Sequence, residues 1–144
     1  MDISVINISK GPNELNSKAL DMLDSSKLSF NVTPRLRYSD KSDYVGFQID
    51  LMVMQDNTQV FRSGFLVGLA ITGWAHDLQN GLDLNKNHER LTEICETVWL
   101  VATGIVAIQS STEGFNGLVL PKINYEDFSK DVLLISETAD KSQD

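Results

Sequence analysis

The sequence predicts an α+β domain: an antiparallel β-sheet meander, then a long apolar helix, then a C-terminal helix. Three observations carry this reading. Between residues 28 and 71, three runs alternate apolar and polar residues and are separated by two short polar connections; that is the pattern of an antiparallel meander with one dry face. From Glu89 to Ser111 the period becomes helical, with a wide apolar stripe. Near the end, Asn124 followed by Glu126 and Asp127 reads as a helix start, with a side-chain cap and acids at the positive end of the helix dipole.

Taken in order, "ISVINIS" (3–9) is a β-branched run expected to be an edge strand stopped by Gly11-Pro12. Residues 13–26 place Leu15, Ala19, Met22 and Leu23 at helical spacing and predict a short helix. The first strand of the meander puts Leu28, Phe30, Val32, Leu36 and Tyr38 on one face, with Pro34 inside it, which suits an edge or a bulge. The second, 44–54, aligns Val45, Phe47, Ile49, Leu51 and Val53. "QDNT" (55–58) is a tight turn, and the third strand aligns Phe61, Phe65, Val67, Leu69 and Ile71. The opposite face mixes Arg35, Arg37, Gln48, Asp50 and Arg62 with Met52, Met54 and Leu66, too apolar for plain solvent, and with glycines that allow close approach. Residues 73–88 read as a long polar connection containing Trp74 and Leu78. The helix that follows carries Leu91, Ile94, Cys95, Val98, Trp99, Ala102, Ile105 and Val106, widened by Leu100, Val101 and Ile108. One small sheet does not cover so broad a stripe, so a subunit contact is expected there, with further packing inside the chain as the alternative. The last helix is expected over Tyr125 to Ile135, with Phe128, Val132 and Ile135 inward.

A chain of 144 residues fits one domain burying roughly 70% of its unfolded surface. That domain is expected over residues 1–136, with 137–144 a polar, disordered tail. The net charge of −8 argues against nucleic acid, which selects a basic face. A lone cysteine, Cys95, staples nothing and suits a reducing compartment. No signal peptide is visible, and the longest apolar run (98–108) is interrupted and short of the ~20 residues of a membrane span. A cytoplasmic protein without membrane insertion is expected.

Catalytic chemistry is not evident. His88 with Glu89 and Glu93 could ligate a metal from one helical turn, but a solvated helix start is the better reading of them. Residues 83–94 begin like a calcium loop with Asp83, Asn85 and Asn87, then place His88 where the loop needs glycine and Ile94 where it needs a bidentate glutamate. Cys95 lies on the apolar stripe with no activating base beside it. Neither a cofactor nor a metal is expected, and the protein is not expected to be an enzyme.

The stretch "GFNGLVLPKINYEDF" (114–128) is the most distinctive. Gly114, Phe115, Leu118, Leu120, Pro121, Ile123, Asn124 and Tyr125 resemble the C-terminal pattern of the SecB export chaperone family. Residues 58–73 resemble that family's third strand, and the order of elements agrees over residues 28 to 136. The family's Cys-Pro-Asn and Phe-Pro-Tyr-Ala-Arg-Glu signatures are absent, and Pro121 sits one residue early, as in a divergent SecB-like member.

The resemblance implies an ATP-independent chaperone that binds non-native polypeptides in apolar grooves, serving export or a dedicated client such as an antitoxin. It also implies a homo-oligomer, a dimer or a tetramer. Phe47, Met52, Met54, Trp74, Leu78 and Trp99 are the candidate polypeptide-binding residues. Members that dock the SecA motor do so through an acidic sheet face and a C-terminal tail. Arg35, Arg37 and Arg62 against Asp50 reverse that charge, so SecA docking is not expected. Two other readings use the same elements. An obligate oligomeric scaffold or protein-binding subunit would bury the apolar surfaces permanently. A hot-dog enzyme would place its long helix before the strands that wrap it, whereas this helix follows them.

Overall fold

In the computed structural model, residues 2–16, 18, 23–112 and 119–137 are described. The period-two region folds as an antiparallel meander: β2 (Leu28–Tyr38), β3 (Tyr44–Gln55) and β4 (Thr58–Ile71). Asp56 and Asn57 close the β3–β4 hairpin with φ of 49° and 65°. Both central residues are left-handed, as the twist of a tight hairpin favours, and Asp and Asn tolerate that conformation best after glycine. β1 (Ile3–Leu15) and β5 (Leu133–Ser136) complete a sheet of five strands in the order β1-β4-β3-β2-β5.

Three helices lie within the described residues: α1 (Trp74–Gln79), α2 (His88–Thr112) and α3 (Tyr125–Lys130). Leu91, Ile94, Cys95, Val98, Trp99, Ala102 and Val106 of α2 are buried in one cluster with Leu36, Phe47, Ile49, Leu51, Phe61, Phe65 and Val67 of the sheet. At its far end Gln109 Oε1 lies 2.8 Å from Ser63 Oγ, deep in that layer. By length and composition alone α2 would also cross a membrane, which the interrupted run 98–108 does not suggest. Its buried side is spent on the sheet, as in a core helix.

Several expectations are corrected. Gly11 and Pro12 do not stop β1. They fall in a register shift between Lys10 and Asn13, and pairing with β4 resumes through Leu15↔Phe61. A bulge on an edge strand accommodates a residue without an N–H. The helix expected over 13–26 is therefore strand at its start, and Ser25–Lys27 is a single 3-10 turn capped by Asp24; Lys18 between them is helical as expected, and residues 17 and 19–22 of that segment lie outside the described residues. Pro34 makes no bulge, because the β2–β3 register runs unbroken through Pro34↔Ile49. The connection after β4 contains α1. Its free N–H groups are satisfied from a distant loop, with Asp43 accepting from Ala75 N at 2.9 Å and from Gly73 N at 3.3 Å. The terminal helix ends at Lys130, and Val132, expected inside it, leads into β5, which pairs parallel with β2 from Arg35↔Leu133 to Tyr38↔Ser136. The helix start is as expected: Asn124 Oδ1 accepts from Asp127 N at 3.0 Å. The tail expected over 137–144 lies, beyond Glu137, outside the described residues, as do Gly114, Phe115 and Leu118.

Candidate functional site

The six candidate residues do not converge. Phe47 and Trp74 are fully buried: Phe47 is on the dry face of β3, and Trp74 meets Tyr38 edge-on with centroids 6.1 Å apart. Neither presents a surface to a ligand. Trp74 looks exposed in sequence because polar residues surround it, yet α1 folds its ring into the core. Leu78 is half-buried against the same core. Met52 and Met54 are half-buried on the open face of the sheet, opposite Asn31 and Ser29 of β2. Trp99 alone lines a groove on the helical side.

That groove, about 340 Å³, is bounded by Phe30 and Val32 of β2, Trp99 of α2, Pro121 and Ile123 of the crossing segment, and Phe128 and Asp131 of α3 and its end. Each wall has a local cause. Trp99 Nε1 donates to the Pro121 carbonyl at 3.2 Å, tying the crossing segment to α2. The Asn124 cap starts α3 so that Phe128 lands on Trp99, ring centroids 5.5 Å apart and tilted by 59°. Period-two geometry turns Phe30 and Val32 to the same side as the core.

Beside the groove runs a strand edge. β5 covers β2 only from Arg35 to Tyr38. Among the described residues, no strand pairs with residues 28–34 on that side. Pro34 sits where this bare edge begins, and lacks the N–H that a further partner would use. An apolar channel beside backbone donors and acceptors suits an extended polypeptide, which brings both main-chain groups and alternating side chains.

Reactive groups do not gather here. Cys95 is buried, and desolvation pushes its thiol up to about 12; such a group is inert as a nucleophile. His88, Glu89 and Glu93 surround an open hollow with Glu126. Among the described residues, no group of three or more His, Cys, Asp or Glu is placed to hold a metal. Of the groove residues, Phe30, Val32 and Phe128 read in sequence only as core-facing, and Pro121 and Ile123 only as part of a motif. No local signal distinguishes a core position from a groove wall.

Fold and site together define a class: a mixed sheet backed by a long helix, with an apolar groove at its edge. Comparison with solved structures finds a similar fold in a Mycobacterium tuberculosis SecB-like chaperone solved in complex with a ChAD peptide from an antitoxin. The TM-score is 0.51 at 9% sequence identity, and the match covers 85% of this chain and 88% of that one. The chain has a distantly SecB-like fold. No family model matches its sequence, and no curated protein matches it.

Proposed function

We propose that this protein is an ATP-independent chaperone that holds non-native polypeptide segments. The carrying observation is the groove walled by Trp99, Ile123 and Phe128 beside the stretch of β2 that, among the described residues, no further strand pairs. Aromatic and aliphatic walls accept many apolar sequences, and a strand edge accepts any backbone. The SecB-like structural relative was captured with a peptide, which supports a polypeptide as the ligand class. The client is either a protein destined for export or a dedicated one, such as an antitoxin.

The acting form in this reading is a homo-oligomer, a dimer or a tetramer. Leu100 and Ile108 are 63% and 67% exposed and lie in line with Gly104 on the outward side of α2. Val5, Ile6 and Ile8 are exposed along β1. Such apolar surfaces suit burial against further copies. Sedimentation at micromolar concentration tests this; a compact monomer would refute it.

The function is tested by suppression of aggregation of an unrelated unfolding protein, without nucleotide. Wild-type oligomer at equimolar ratio is expected to suppress aggregation, and Ile123→Ser with Phe128→Ala to weaken that effect at unchanged oligomer mass. A scaffold with permanently buried surfaces would suppress nothing in either form.

A further inference from the structure

The two edges of the sheet are built differently. β1 is blunted as edge strands usually are: register shifts interrupt its pairing with β4 at two places, one of them spanning Gly11 and Pro12, with Lys10 beside it. The stretch of β2 at residues 28–33 reads LSFNVT, with no charge and no proline, and its register with β3 is unbroken. Among the described residues, no strand pairs with its outer side. A flat, uncharged edge of this kind is a template for a further strand.

The direction of its main-chain groups follows from one hydrogen bond. The Tyr38 carbonyl accepts from Glu137 N at 2.8 Å, on the β5 side. Successive residues of a strand turn these groups to opposite neighbours, so Leu36, Pro34, Val32 and Phe30 also turn theirs away from β3. Pro34 agrees with this, because the β2–β3 register does not need its missing N–H. Phe30 and Val32 therefore each aim an N–H and a C=O outward. Their side chains lie on the dry face, where their β3 partners Val53 and Leu51 are fully buried, yet both are only half-buried. Burial becomes complete at Pro34 and Leu36, where β5 comes alongside. The groove reaches the edge itself, since Asn31 lines it although its side chain belongs to the opposite face.

We propose that the held segment binds as an added β-strand beside residues 28–33 of β2, continuing the row that β5 occupies beside residues 35–38. The proposal rests on the chaperone reading and specifies the ligand: an extended segment with free N–H groups and an apolar side chain at every second residue. Residues of the segment that pair with Phe30 and Val32 turn to the same face as they do, onto Trp99, Ile123 and Phe128. β5 already shows that this edge of β2 takes a strand. A helix does not fit as occupant, because it satisfies its own main-chain groups and leaves those of Phe30 and Val32 unmet.

The test uses the full chain and a short labelled peptide alternating leucine and threonine, read by fluorescence anisotropy. N-methylation of one alternate set of its amides should cost about tenfold in affinity, and of the other set about twofold at most, because a strand turns only every second N–H to its neighbour. A peptide of the same composition with leucines at helical spacing should bind more weakly. In hydrogen exchange on the wild-type protein, the alternating peptide should slow the Phe30 and Val32 amides about tenfold and leave Asn31, turned to β3, unchanged. The proposal is overturned if both sets of N-methyl groups matter or neither does, if the Phe30 and Val32 amides exchange as fast with peptide as without, or if wild type binds no such peptide. It is also overturned if those amides are protected without peptide and lose protection on dilution, because a second copy is then the occupant. Aggregation suppression together with N-methyl peptides that bind alike would remove the added strand and leave the chaperone reading standing. Absent suppression with slowed Phe30 and Val32 amides would remove the chaperone reading and leave a strand-binding edge.

Discussion

Replacing Trp74 and Phe128 separately by alanine tests the division between core and groove. Trp74 is fully buried and makes an edge-on contact with Tyr38 at 6.1 Å. Removing so large a buried ring costs about 3–5 kcal/mol, of which about 0.5–1.5 belongs to the aromatic pair. For a chain of this size that lowers the melting temperature by roughly 10 °C or more. Phe128 is half-buried, and part of its ring faces the groove. Its loss should cost only about 1–2 kcal/mol of stability, while client affinity falls about tenfold, the equivalent of one apolar contact. Urea unfolding measures the first effect, and aggregation suppression below the melting transition measures the second. Trp74→Ala that melts within a degree or two of wild type but loses suppression would refute the reasoning. Trp74 would then be a binding residue, and its ring could not be where α1 places it.

Three further outcomes follow from local geometry. Asn124→Ala removes the side chain that accepts from Asp127 N and should destabilise by about 1 kcal/mol in denaturant titration, loosening the groove wall that α3 supplies. Cys95 keeps its proton in the folded state up to about 12, whereas the unfolded chain releases it near 8.5, the ordinary thiol value. Its contribution to stability is therefore intact below the unfolded value and lost as pH rises toward the folded one; Cys95→Ala should flatten that alkaline decline, and wild-type Cys95 should resist thiol reagents at pH 8 until unfolded. A Cβ at Gly104 meets no atom within 4 Å, so Gly104→Ala should stabilise an isolated chain by about 0.5–1 kcal/mol. If copies associate along this side of α2, the same change should shift sedimentation toward smaller species.

The meander, its dry face and the start of α3 were legible in the residues. Alternation places Val45, Phe47, Ile49, Leu51 and Val53 on one side whatever they pack against, and all five are buried. Asn124 caps a helix from within four residues of the N–H it accepts. The buried stripe of α2 was equally plain, since a period of 3.6 needs no knowledge of the partner. These features depend on covalent geometry and solvent alone.

What depended on distant partners was not legible. The sequence after β4 reads as loop because α1 takes its cap from Asp43, some thirty residues upstream. Residues 133–136 continue a plausible helix until β2 offers an open edge that a parallel strand can occupy. The register shift in β1 lets Gly11 and Pro12 pass where local rules end the strand. The groove draws on residues from Phe30 to Asp131, so its shape exists only after the sheet, α2 and α3 have closed on one another. Periodicity told which side of each element is apolar. Whether that side became sealed core, as at Phe47 and Trp74, or groove wall, as at Trp99 and Phe128, was decided by what the rest of the chain left uncovered.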